Sequence, residues 1–250
     1  MQRSWCPFLL LVLLPFISNS QSVSVDSTGK DDYLKFKPIS LLVPAALIGY
    51  GIVGLESHTL KNLNSSTQEE VLEHIDENVS FDDFSQYAPF VSVYALNAMG
   101  VKGEHAFADR TIILSTAYLI MGITVNSIKS TTRELRPDGS SANSFPSGHT
   151  ATAFMGAEFL YQEYKNQSEW IGVAGYLTAT ATGVFRMYNN RHWLNDIAAG
   201  AGIGILSTKL SYWLYPVIQR KLFKKHSSIH GNLMPVMGKG NTGLCMVISW

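Results

Sequence analysis

The chain has 250 residues, about the length of one domain, with 19 Lys and Arg against 19 Asp and Glu and a formal net charge of zero. That balance gives no basis for a nucleic-acid partner, and two cysteines near opposite ends, Cys6 and Cys245, build neither a disulfide framework nor a metal cluster. Mean hydropathy is only +0.08, yet the apolar residues are bunched into long runs between polar segments such as Glu56 to Asp83, and such runs point to a bilayer.

In chain order, residues 1–20 read as an export signal, with Arg3 as a positive start, Pro7 to Ile17 as a short apolar core and Ser18, Asn19 and Ser20 as the cleavage region. An uncleaved anchor helix is the alternative. Six segments then approach the length that crosses the hydrocarbon as a helix: Pro38 to Leu55, Tyr87 to Val101, Thr111 to Ile128, His149 to Tyr164, Trp170 to Arg186 and Leu194 to Tyr215. The first contains Pro44 and three glycines, so it is expected to be interfacial or re-entrant if it does not span. Small residues at Ala198, Ala199, Gly200, Ala201 and Gly202 predict close helix packing, and the whole predicts a compact helical bundle. Asn64, Asn78 and Asn166 match a glycosylation pattern too short to be specific.

Orientation follows from loop charge. Arg220, Lys221, Lys224 and Lys225 follow the last span, whereas Glu69, Glu70, Glu73, Asp76, Glu77, Asp82 and Asp83 fill the loop after Leu55. The tail is therefore expected in the cytoplasm and the 129–149 and 186–193 loops together on the outer side.

Those two loops hold the residues with chemistry. In the first, Lys129 and Arg136 precede Pro146, Ser147, Gly148 and His149 at a helix start, with Pro146 suited to the first helical position. Amides at such an end and a forked guanidinium suit phosphate oxygens; singly, these cations are equally well explained as charges at a membrane edge. In the second, Arg186 is followed by His192 and Asp196. If a helix starts near His192, the two lie on one face, and the carboxylate can accept a proton from one ring nitrogen while the other faces a substrate. A mutual pairing that only satisfies two polar groups is the alternative. The remaining histidines, His58, His74, His105, His226 and His230, fall in polar segments without ligand spacing, where solvation is the general expectation.

Together the clusters resemble the type 2 phosphatidic acid phosphatase (PAP2) superfamily, whose pattern is K-x6-RP, PSGH and SR-x5-H-x3-D. Lys129 and Arg136-Pro137 carry the first motif, Pro146 to His149 the second, and Arg186, His192 and Asp196 the third. Phe185 stands where the pattern often has serine. The resemblance covers about Tyr87 to Tyr215. It implies an all-α, polytopic membrane helical bundle of the PAP2/haloperoxidase type with five to six membrane segments. The domain organisation is then 1–20 signal or anchor, 21–86 an N-terminal segment with an interfacial or first membrane helix and an acidic external loop, 87–218 the catalytic helical core and 219–250 a basic, disordered tail.

The resemblance also implies roles. His192 attacks phosphorus and forms a phosphohistidine, Asp196 orients it, and His149 protonates the leaving oxygen and then activates water. Lys129, Arg136, Ser147, the amide of Gly148 and Arg186 bind the phosphate. No metal and no cofactor are required, and vanadate should inhibit. The stretch from Arg136 to Leu160 looks like that of bacterial inner-membrane lipid A phosphatases, most of all those acting at the 4'-position, which predicts a phosphorylated lipid as substrate and a site facing the periplasm. Undecaprenyl diphosphate or phosphatidylglycerophosphate is the alternative substrate. A vanadate-dependent haloperoxidase shares the pocket but needs peroxide, and a transporter would show internal repeats and mid-span charges, neither of which is evident in the sequence. Oligomeric state is left open.

Overall fold

The long apolar runs become helices in a computed structural model of the chain, which describes residues 38–72, 81–222, 230–238 and 241–249. The export signal and the acidic residues Glu73, Asp76 and Glu77 lie outside the described residues, which belong to one unit spanning residues 33–250. A 3-10 turn at Pro38–Leu41 leads into α1 (Leu42–Glu56). Then follow α2 (His58–Leu72), α3 (Phe81–Ser85), α4 (Ala88–Ala98), α5 (Phe107–Thr132), α6 (Gly148–Tyr164), α7 (Glu169–Tyr188) and α8 (Leu194–Leu222). Each of the six predicted segments coincides with one of α1 and α4 to α8.

Pro44 does not break the first segment. It sits in the first turn of α1, where no intrahelical N–H is lost, and the helix runs on through its glycines. Pro38–Glu56 and Phe107–Thr132 are the two described helices long and apolar enough to cross a membrane. α4, at 11 residues, is about 17 Å long, well short of a roughly 30 Å hydrocarbon core. Large apolar side chains cover the outside of the bundle: Leu42, Val43 and Ile52 on α1, Leu119 and Ile123 on α5, Leu177 and Val184 on α7. Exposed apolar surface of this extent marks an interaction surface.

α6 is the central helix, packed against α4, α5, α7 and α8, with buried residues on every face. Val93, Ile113, Phe159, Leu160 and Tyr164 form one apolar cluster; Ala117, Met121, Val125, Ala151, Met155 and Ile203 form another. The predicted small-residue packing is seen where α8 meets α6. A Cβ on Gly200 would lie 2.5 Å from the Ser147 carbonyl oxygen, and one on Gly204 would lie 2.3 Å from that of Ala151. Only glycine admits backbones so close, and Gly200 does so at the residue where α6 starts.

Two features of the bundle differ from expectation. Glu158 and Lys209, both well inside their helices, form a 2.7 Å ion pair, with Tyr176 and Gln162 also donating to the carboxylate. Mid-helix charges are therefore present; they escape notice in sequence because their partners are 51 residues apart. His105 is not simply solvated. Its Nδ1 is 2.8 Å from Glu163 Oε1, an oxygen that also accepts the Tyr212 hydroxyl at 2.6 Å. The bundle is all-helical, with α8 continuing to Leu222; in the segment after it, β1 (His230–Gly238) pairs antiparallel with β2 (Asn241–Ser249), His230 opposite Ser249 and Gly238 opposite Asn241. The two strands contain the β-branched residues Val236, Val247 and Ile248, a signal hidden in sequence by the high glycine content.

Asn64 is buried and donates from Nδ2 to Asn195 Oδ1 at 2.9 Å, so packing rather than glycan attachment accounts for it. Through this bond, and through Gln68 Nε2 to the Met187 carbonyl at 3.0 Å and to Asn190 Oδ1 at 2.7 Å, α2 braces the turn between α7 and α8.

Candidate active site

The end of α5, the starts of α6 and α8 and the end of α7 meet at one rim of the bundle, which brings the two motif-bearing loops together. The joint is a backbone hydrogen bond from the Ser147 amide to the Asp196 carbonyl at 3.0 Å. Ser147 is the N-cap of α6: its Oγ accepts from the Thr150 amide at 3.4 Å and from Thr150 Oγ1 at 2.9 Å. Pro146 thus lies one residue before the cap rather than inside the helix. The amides of Gly148 and His149, the first two helical residues, have no acceptor within the helix. The Ser147 hydroxyl hydrogen is left to donate outward.

His192 does not lie on α8. The helix begins at Leu194, and the i, i+4 contact is made from the turn before it. Asp196 Oδ2 accepts the Trp193 amide at 2.9 Å at the start of α8, and the same oxygen lies 3.4 Å from His192 Nδ1. Ser144 completes the group: its hydroxyl donates to Asp196 Oδ2 and sits 3.4 Å from His192 Nδ1. Burial, with help from the charges of Lys129 and Arg186, holds the His192 imidazole down to about 4 against the opposing pull of Asp196. At neutral pH the ring is therefore uncharged, with Nδ1 turned to the carboxylate side and Nε2 the other edge.

The cations converge on this pair. Lys129, in the last turn of α5, donates to the carbonyls of Asn143 and Ser144, which ties α5 to the loop before α6. Arg133 ends α5 in the left-handed conformation, φ 49°. The loop then folds on itself through Arg136 N to the Ser141 carbonyl at 3.0 Å and Ser144 N to the Glu134 carbonyl at 2.9 Å. Arg136 faces Arg186 and Arg191, and burial together with these like charges lowers its pKa. Arg191 pairs with Asp138 at 3.0 Å and Arg186 with Asp82, so the rim gathers charges of both signs around the His–Asp pair.

Two site residues have no counterpart in the motif reading. Asp82 and Asp83, taken from sequence as loop charges, project from α3 into the rim. Buried Asp82 accepts from Arg186 Nη1 and, at 2.9 Å, from Asn189 Nδ2. Asp83 Oδ1 is 2.9 Å from His149 Nε2 and 3.6 Å from Arg186 Nη1. Phe185, the departure from the pattern, packs edge-on against Phe81 at 5.8 Å and so anchors α3. These acids lie 66 and 104 positions from their partners, and no spacing rule reaches so far.

Fold and site define a helical bundle with a rim where cations and carboxylates gather around a His–Asp pair. Residues 110–220, the segment that holds all three motifs, match the family model of the PAP2 superfamily. The chain is 31% identical over 254 residues to the lipid A 1-phosphatase of Porphyromonas gingivalis, a match that takes in 93% of this chain and 57% of the relative. It is 29% identical over 101 residues to the bacitracin transport permease protein BcrC of Bacillus licheniformis, 40% of this chain and 48% of that protein. The chain thus spans about half the length of the curated relatives it matches. The crystal structure of Aquifex aeolicus LpxE superposes with a TM-score of 0.48 at 23% identity, over 60% of this chain and 94% of that one.

Proposed function

We propose that the protein is a membrane lipid phosphatase that removes a phosphate from lipid A through a phosphohistidine on His192. The observation that carries this is the buried, uncharged His192 held by Asp196 and joined through the Ser147 amide to the start of α6. His192 Nε2 attacks phosphorus as the bond to the leaving oxygen breaks, and Asp196 balances the charge that develops on the ring. Lys129, Arg136, Arg186, the Ser147 hydroxyl and the Gly148 amide hold the phosphate oxygens during transfer. His149 gives its proton to the leaving oxygen, then takes one from the water that cleaves the phosphorus–nitrogen bond and releases phosphate.

The membrane setting is supported by the two long apolar helices and the apolar exterior, and five to six segments by the six helices at the predicted positions. Arg220 and Lys221 at the end of α8 support a cytoplasmic tail and, with it, a site facing the periplasm in the inner membrane. Within lipid A, the sequence favours the 4'-phosphate, whereas the name of the Porphyromonas gingivalis relative favours the 1-phosphate.

Tandem mass spectrometry of lipid A from a strain expressing the protein, beside one expressing His192→Asn, tests the reading. One phosphate fewer only with the intact protein is expected, and fragmentation assigns the position. Unchanged lipid A with a loss of polyprenyl diphosphate or phosphatidylglycerophosphate would replace the substrate.

A further inference from the structure

A proton donor needs an orienting partner as much as a nucleophile does, and the three motifs give His149 none. The structure supplies one in Asp83, whose Oδ1 is 2.9 Å from His149 Nε2. α3, which carries it, is held against α7 at three points. Phe81 packs on Phe185 at 5.8 Å, Asp82 grips Arg186 and Asn189, and Ser85 Oγ lies 2.8 Å from Thr182 Oγ1. Asp83 itself remains 55% exposed at the mouth of the rim. Its second contact, 3.6 Å to Arg186 Nη1, sets the spacing between a phosphate-binding cation and the histidine.

The charges around His149 make the need plain. Burial, and after it Arg186 facing it from α7, lower the pKa of His149, while Asp83 and Asp82 on α3 pull the other way. α6 contributes no other charged residue before Glu158. A group that must hold a proton until the leaving oxygen takes it gains from a carboxylate on its far nitrogen.

We propose that Asp83 is the positioning residue of His149, a second Asp–His pair on the leaving-group side of the site. The proposal rests on the reading of His149 as general acid. With Nε2–H held by Asp83, the proton delivered is that on Nδ1: it passes to the leaving oxygen as the bond from that oxygen to phosphorus breaks. The neutral Nδ1 then accepts a proton from the attacking water as the bond from phosphorus to His192 breaks.

The test uses the full chain in detergent and compares kcat/KM for an alkyl phosphate, whose leaving oxygen needs a proton, with that for p-nitrophenyl phosphate, whose leaving group scarcely does. Asp83→Asn and His149→Gln should each lose about 10- to 100-fold more on the alkyl than on the aryl ester. Asp83→Glu, which keeps the charge, should recover part of the alkyl activity. Thermal midpoints show that each variant is folded. Should His149→Gln discriminate between the esters while Asp83→Asn affects both alike or neither, Asp83 has no part in proton delivery and the reading of His149 stands. Equal losses on both esters in His149→Gln would remove the general acid, and the proposal with it.

Discussion

His192 Nδ1 stands 3.4 Å from the Asp196 oxygen that also caps α8 by accepting the Trp193 amide at 2.9 Å. One carboxylate therefore starts the helix and orients the imidazole, and the two duties can be separated by substitution.

Asp196→Asn keeps an acceptor for the Trp193 amide but sets a neutral amide against the ring and the Ser144 hydroxyl. It should fold with a stability near that of the parent and lose about 10²- to 10⁴-fold in kcat. Asp196→Ala loses the cap as well, at about 1 kcal/mol. Rapid-quench detection of phosphoenzyme beside thermal midpoints checks both, and an Asp196→Asn variant of parental kcat would remove the carboxylate from the mechanism.

Burial of His192 makes stability depend on pH with a definite sign. Its imidazole lies at about 4 in the folded protein against an ordinary value near 6.5. Above pH 6.5 neither state binds the proton and the full stability is present. Between 6.5 and 4 the unfolded state binds it and the folded state does not, so stability falls with pH, by about 3 kcal/mol in total. His192→Asn removes this contribution. Midpoints at pH 7.5 and 4.5 should therefore drop further in the parent than in the variant, and parallel curves would mean that the ring titrates alike in both states.

The helices were legible because apolar runs of this length have few other uses, and the motif residues because each cluster is compact in sequence: Arg186, His192 and Asp196 lie within 11 positions. Ser144 lies between the first and second motifs, and nothing in its spacing reveals the hydroxyl shared between His192 and Asp196. Asp82 and Asp83 were counted correctly as acids and placed wrongly in function, because their partners come from α6 and α7 through tertiary packing. Phe185 shows the same limit from the other side. It departs from the superfamily pattern, yet against Phe81 it holds the helix that carries both acids.

Gly200 couples packing to the site. A methyl group there would meet the Ser147 carbonyl at 2.5 Å and push α8 away from the start of α6, separating His192 from the Gly148 amide. Gly200→Ala should cost about 1–3 kcal/mol and most of the activity. Gly204→Ala, one turn farther from the rim, should cost comparable stability with a smaller loss in turnover per folded molecule. Gly122→Ala, with nothing within 4 Å of its Cβ, should be neutral or stabilising by up to about 1 kcal/mol. Denaturation midpoints with turnover normalised to folded protein separate the three; a Gly200→Ala enzyme with parental turnover would uncouple the close approach from the site.

The buried Glu158–Lys209 pair invites the transport reading, since ionisable groups inside a membrane bundle often line a path. Its surroundings argue for structure instead. Glu158 accepts from Lys209, Tyr176 and Gln162, and it lies nine residues along α6 from His149, about 14 Å away along the axis. Removing one partner strands the other, so Glu158→Gln or Lys209→Met alone should destabilise by about 3–5 kcal/mol. The double variant should recover much of that loss, and its turnover per folded molecule should match the parent's, because the pair takes no part in the chemistry at the rim. In sealed vesicles, phosphate release by the parent should likewise be indifferent to an imposed pH gradient. A folded double variant without turnover, together with gradient-dependent release in the parent, would make the pair part of a proton path and reopen the transporter alternative.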